Sequence, residues 1–165
     1  HSRHGKTALW AGAQDEAFAA VISNNSGEGG ASLGRRTFGE RVADSVRVNI
    51  FWYCDHYRSY VGREAERPVD QHMLIALAAP RPVYVASATL DLGADPRGEY
   101  LAAFHAGRAY SLFGHKGVGP EASPRPDTPV GHRIGYHLRT GPHDITAYDW
   151  ARYLDFLDRE WREKR

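Results

Sequence analysis

Three residue types that together cleave esters sit at widely spaced points of this chain: Ser2 in His1-Ser2-Arg3-His4-Gly5-Lys6, Asp91 in Asp91-Leu92-Gly93, and His143 in Thr140-Gly141-Pro142-His143-Asp144. A serine hydroxyl is a weak nucleophile near neutral pH, and it attacks a carbonyl when a neutral imidazole takes its proton. A carboxylate bonded to the other ring nitrogen orients that imidazole and stabilises the cation it becomes. Each residue also has a plainer reading. Ser2 is a lone serine at a terminus, Asp91 can form a turn after a strand, and Gly-Pro-His-Asp can open a helix with Asp144 as its cap.

The elements around these residues decide whether they can converge. Ser2 stands at a strand-to-helix corner with no strand before it, and Lys6–Ala13 has few helix breakers. Ala19–Ser23 reads as a short strand closed by the loop Asn24–Gly30. Residues 31–68 read as mixed helix and loop. Val69–Ala79 reads as a helix stopped by Pro80, and Arg81–Ala88, apolar almost throughout, as a buried parallel strand. Asp95-Pro96 is a helix-start signal for a helix to about Ala109. Ala109–Leu112 and Arg133–Leu138 are further strand candidates around a Gly/Pro-rich loop, Gly114–Gly131. Trp150, Tyr153, Leu154, Leu157 and Trp161 recur at helical spacing and predict one apolar stripe on a final helix, Ile145–Trp161. Alternating helices and strands predict an α/β domain with a mostly parallel sheet, in which chemistry sits on loops at the carboxyl ends of strands.

Composition narrows the partners. The 165 residues suffice for one domain with a real core, and a net charge of +1 offers no field for nucleic acid or an acidic membrane. The single cysteine, Cys54, rules out an internal disulfide, and no apolar run is long enough to span a bilayer. The nine histidines show no ligand spacing on one element, so no metal site is expected, and a serine triad needs no cofactor. His72 reads as a satisfied packing residue on its helix. Lysines and arginines are scattered, apart from a cluster from Arg159 to Arg165 at the exposed end of the last helix.

The chain order Ser, Asp, His is that of the α/β-hydrolases. His1-Ser2-Arg3-His4-Gly5-Lys6 further resembles the nucleophile motif of glucuronoyl esterases, G-x-S-R-x-G-K. The stretches ALWAGAQDE, VISNNSGEGG, PVDQHMLIALAAPRPVYVASA, DLGADPRGEY and IGYHLRTGPHDITAYDW resemble the bacterial branch of that family across the whole chain. The resemblance implies a secreted or periplasmic serine esterase that hydrolyses the ester between 4-O-methyl-glucuronate on glucuronoxylan and lignin alcohols. By position it makes Ser2 the nucleophile and His143 the base. Arg3 becomes an oxyanion donor through its backbone N–H and guanidinium, and Lys6 and Glu40 become ligands of the sugar hydroxyls. It also implies that residues 1–165 are the C-terminal part of a single α/β-hydrolase domain lacking its N-terminal strands, unstable or poorly active alone.

Family members carry the acid at one of two positions. The early one is Asn25 here, with Glu28 three residues on, and the later one is Asp91, which is therefore the expected acid; Asp95 reads as the cap of the next helix. Two departures accompany this. Many relatives have Trp two residues beyond the acid, where this chain has Gly93, which implies a weaker or more open sugar site. Glu28 stands where the resemblance implies a cysteine, leaving Cys54 without a partner. The rival readings are another carbohydrate esterase, a prolyl-oligopeptidase-like hydrolase, or a non-catalytic carbohydrate-binding remnant. Neither rival hydrolase needs the Arg3 and Lys6 pair.

Overall fold

A computed structural model describes residues 1–162; the end of the basic cluster, residues 163–165, lies outside them. Four strands form one sheet in the order β1-β2-β4-β3: β1 (Val21–Asn24), β2 (Val83–Ala88), β3 (Val130–Gly131) and β4 (Ile134–Arg139). β1, β2 and β4 are parallel, with Asn24 level with Ala86 and Ala86 level with His137, and β3 pairs antiparallel with β4. The α/β architecture with a mostly parallel sheet is as the sequence predicts.

Alternation along β2 builds both layers of core. Val83 and Val85 point to one face, where they pack with Leu9, Ile75, Tyr100, Ile134 and Tyr136. That face carries α1 (Ser2–Gln14), α4 (Gln71–Ala76) and α5 (Pro96–Ser111). Tyr84 and Ala86 point to the other face and meet Tyr153 and Phe156 of α6 (Ala147–Arg162). Two short helices, α2 (Val42–Val48) and α3 (Asp55–Arg58), sit in the long connection from β1 to α4 among single 3₁₀ turns. No described helix is long and apolar enough to cross a membrane.

Three expectations need correction. Ala109–Leu112 is not a strand: its residues finish α5 and cap it, with the Leu112 N–H bonded to the Ala109 carbonyl. The helix expected over Val69–Ala79 is regular only from Gln71 to Ala76, because Asp70 caps its start and bonds the Gln71 N–H. The stripe on α6 is rotated. Asp149, Tyr153, Phe156 and Glu160 face the sheet, while Trp150 (56% exposed), Leu154 (60%) and Trp161 (46%) face outward. The sheet face offers His137, Arg139 and Arg133, and these draw in the carboxylates of Asp149 and Glu160. Charge pairing on this helix overrides the apolar pattern.

Candidate active site

Ser2 opens α1 with a φ of 55°, a left-handed conformation costly for any residue with a Cβ and typical of sites that store strain. The helix then lies close against β1. A Cβ on Gly5 would sit 3.1 Å from Ser26 Cβ and 3.3 Å from the Asn24 carbonyl, so this position has little room for a side chain. His4 and Gly5 bond the His1 carbonyl, and the Ser2 and Arg3 N–H groups occupy the unpaired first turn of α1. A helix N-terminus with open donors favours a developing negative charge.

His143 and Asp91 are joined. His143 Nδ1 lies 2.6 Å from Asp91 Oδ2, and the histidine ring packs on His1, the neighbour of Ser2, at 4.5 Å between centroids. With Nδ1 donating to a carboxylate, Nε2 is free to accept a proton. No hydrogen bond joins Ser2 Oγ to His143 among the described residues; the two approach through His1. Catalytic bonds are commonly long without substrate.

The loops that present this pair are laced together. Thr89 N–H bonds the Arg139 carbonyl, Leu90 N–H bonds the Gly141 carbonyl, and Gly141 N–H bonds Thr89 Oγ1. Asn25, at the early acid position, lies against Asp91 and donates from Nδ2 to Asp91 Oδ2 at 2.8 Å. Asp95 caps α5, accepting from the Gly98 N–H, and pairs with Arg36 at 2.7 Å.

Glu28 takes no part in this relay. It is buried against Arg67 at 3.0 Å and bonded by the Tyr57 hydroxyl, while Arg67 pairs with Asp70 at 3.0 Å. This buried network fastens the loop after β1 to residues 57–70. Cys54 is free and exposed, so an ion pair occupies the place where the resemblance implied a disulfide.

Lys6 reaches from α1 across to that loop, donating from Nζ to the Ser26 and Glu28 carbonyls at 2.6 and 2.5 Å. One N–H remains for a ligand. Burial lowers its pKa, and among nearby carboxylates Glu40 acts most strongly to keep it charged. Glu40 is held by its own N–H on the Gly93 carbonyl, 2.8 Å away. A Cβ on Gly93 would meet only Asp91 Oδ1, at 3.8 Å, so the space beside the acid is open. Arg3 is exposed, its guanidinium 6.0 Å from the Trp52 ring. The structure therefore brings Asp91 and His143 together, with His1, the neighbour of Ser2, on the histidine ring. Lys6 lies against the loop after β1 within reach of the Glu40 charge, and Arg3 lies apart, toward Trp52.

Sequence reasoning missed the charges beneath the site. Glu99 is fully buried and accepts from the Ser26 and Gly27 N–H groups and from Ser87 Oγ. Burial pushes its carboxyl up to about 7, against the pull of those donors. His137, buried as a structural residue, lies between Tyr84 and Asp149. His72 is not the satisfied packing residue expected: its Nδ1 has no hydrogen-bond partner among the described residues, and its ring meets His105 edge-on at 5.9 Å.

Residues 1–114 match the model of a family described as glucuronyl esterase of fungi. A carbohydrate esterase, MZ0003, of an unknown prokaryotic organism is 52% identical over 96% of this chain and 37% of its own length. A 4-O-methyl-glucuronoyl methylesterase of Podospora anserina is 36% identical over 51% of this chain and 19% of its own. The solved glucuronoyl esterase of Solibacter usitatus superposes with a TM-score of 0.93 at 49% identity, covering 98% of this chain and 41% of that one. The chain thus spans about two fifths of the length of such relatives.

Proposed function

This chain belongs to the glucuronoyl esterase family, and on that premise we propose that Ser2, His143 and Asp91 form the triad of a serine esterase acting on glucuronate esters. The observation that carries the reading is the 2.6 Å bond from His143 to Asp91, with the imidazole packed on His1, the neighbour of a strained serine at a helix N-terminus. The substrate class is the ester between (4-O-methyl-)glucuronate of glucuronoxylan and lignin alcohols. Residues 1–165 are the C-terminal part of one α/β-hydrolase domain of a secreted or periplasmic enzyme.

The chemistry runs in two halves. Ser2 Oγ attacks the ester carbonyl as His143 Nε2 takes its proton, and Asp91 steadies the imidazolium. The oxyanion forms where the Arg3 N–H and guanidinium can meet it; one such donor is commonly worth about 3 kcal/mol of transition-state stabilisation. His143 then gives its proton to the departing alcohol. Water, activated by the same histidine, releases the uronate from Ser2. Lys6 and Glu40, a cation and an anion near each other, hold the sugar hydroxyls.

Hydrolysis of a benzyl ester of glucuronic acid, with circular dichroism on the same samples, tests this. Turnover lost in folded Ser2→Ala supports it. Equal turnover in wild type and Ser2→Ala would remove the nucleophile from the account. Sugar binding without turnover, unchanged in Ser2→Ala, would favour a binding remnant.

A further inference from the structure

The last strand ends in a buried arginine that the triad does not use. Arg139 is 5% exposed, and its guanidinium is enclosed by the loop that carries His143. Nη1 donates to the Thr140 carbonyl at 3.2 Å, and Nη2 donates to the Pro142 and Asp144 carbonyls at 2.8 and 3.0 Å. Those last two carbonyls belong to the residues immediately before and after His143. The peptide plane that leads into the histidine, Pro142–His143, and the one that follows Asp144 are therefore tied to one rigid fork.

The fork is itself anchored. Arg139 Nε meets Asp149 Oδ2 at 3.0 Å, and Asp149 is wholly buried at the start of α6. The same carboxylate accepts from His137 Nε2 at 2.8 Å and from the Thr146 N–H and hydroxyl at 2.7 and 2.8 Å. It also meets Asn24 Nδ2 at 3.3 Å, and Asn24 Oδ1 bonds His1 Nδ1 at 2.6 Å beside Ser2. A carboxylate with this many donors has one orientation available. Gly141 is a second, independent sign of the same packing: a Cβ there would stand 2.6 Å from Arg139 Nη1.

We infer that Arg139, locked by Asp149, is a positioning residue that sets His143 between Ser2 and Asp91; this rests on the triad reading above. A planar guanidinium supplies five fixed donors, enough for three carbonyls and a carboxylate, whereas a lysine ammonium supplies three on a flexible stem. Arg139→Lys keeps the charge opposite Asp149 and loses the fork.

The test measures kcat and KM for benzyl glucuronate in this chain, together with the low-field Nδ1 proton resonance of His143 in histidine-labelled protein. Turnover is expressed per folded molecule from circular dichroism. Misplacing a catalytic group by about 1 Å costs on the order of 10²-fold in rate, so Arg139→Lys is expected to lose about that in kcat with KM unchanged and the Nδ1 resonance broadened or lost. Asp149→Asn, which keeps side-chain volume and leaves Arg139 in place, is expected to move both readouts the same way by less. Wild-type kcat per folded molecule and an unaltered resonance in either variant would overturn the proposal, as would a loss that only tracks the unfolded fraction. The resonance reports the His143–Asp91 bond without turnover, so an absent esterase activity and a wrong role for Arg139 give different results.

Discussion

Asn25 and Asp91, the two positions at which the resemblance places an acid, touch: Asn25 Nδ2 donates to the very oxygen of Asp91 that receives His143. On the proposed triad the asparagine, held with a φ of 47°, orients Asp91 and leaves the charge to it. Removing the two residues must therefore have unequal effects. Asp91→Asn is expected to lower kcat on the order of 10⁴-fold, as loss of a triad carboxylate does. Asn25→Ala removes one hydrogen bond worth about 1 kcal/mol and is expected to cost roughly tenfold or less. Steady-state kinetics on the two variants checks the order, and equal losses would contradict it.

Gly93 leaves open space beside Asp91 Oδ1, next to the backbone carbonyl that holds Glu40. Gly93→Trp is expected to fill it and give the sugar ring an apolar wall, lowering KM for a glucuronate ester with kcat little changed. Unchanged KM, or competition for the same space by the substrate, would show that the wall is not on the sugar side.

Glu99 links acidity to stability. Its carboxyl rises from an ordinary 4.5 to about 7 on folding, chiefly through burial, so the folded chain binds more protons than the unfolded chain between those values. Its contribution is full below about 4.5 and is lost as pH climbs through about 7, roughly 3 kcal/mol in all. Urea unfolding at intervals from pH 4.5 to 8 is expected to show that falling component in wild type and its disappearance in Glu99→Gln. The opposite sign belongs to Asp149. Hydrogen bonds from His137 and Thr146, with Arg139 nearby, outweigh burial and bring it down to about 2, so its contribution is present above about 3.8 and is lost as pH falls through 2.

The Glu28–Arg67–Asp70 network is buried, so removing the shared cation leaves two carboxylates without their charge partner. Arg67→Ala is expected to destabilise the chain by about 3–5 kcal/mol. Cys54→Ser, at an exposed free thiol, should stay within about 0.5 kcal/mol. Chemical denaturation of both variants checks the contrast.

Much of this arrangement is legible in the sequence wherever a signal is local. Val83–Ala88 is apolar almost throughout and forms a central, fully buried strand, and Asp95-Pro96 opens a helix as its chemistry dictates. Asp91 and His143, two members of the proposed triad, fall on loops after β2 and β4 that the alternation of elements places together, and Ser2 opens α1. What escapes is set by partners far away in the chain. Asp149 and Glu160 look like solvent-facing charges on α6 until His137, Arg139 and Arg133 are opposite them, and Trp150 then turns outward. Glu28 points to Arg67, 39 residues on, for the same reason. Ala109–Leu112 has strand-like composition, but it continues a helix already begun at Pro96.

The most direct measurement is covalent labelling of this chain with a fluorophosphonate, which phosphonylates an activated serine as fluoride leaves, followed by peptide mass mapping. The account predicts a single adduct on Ser2, slowed strongly in both His143→Ala and Asp91→Asn. Labelling at another serine, or labelling of Ser2 at an unchanged rate in folded His143→Ala, would contradict it.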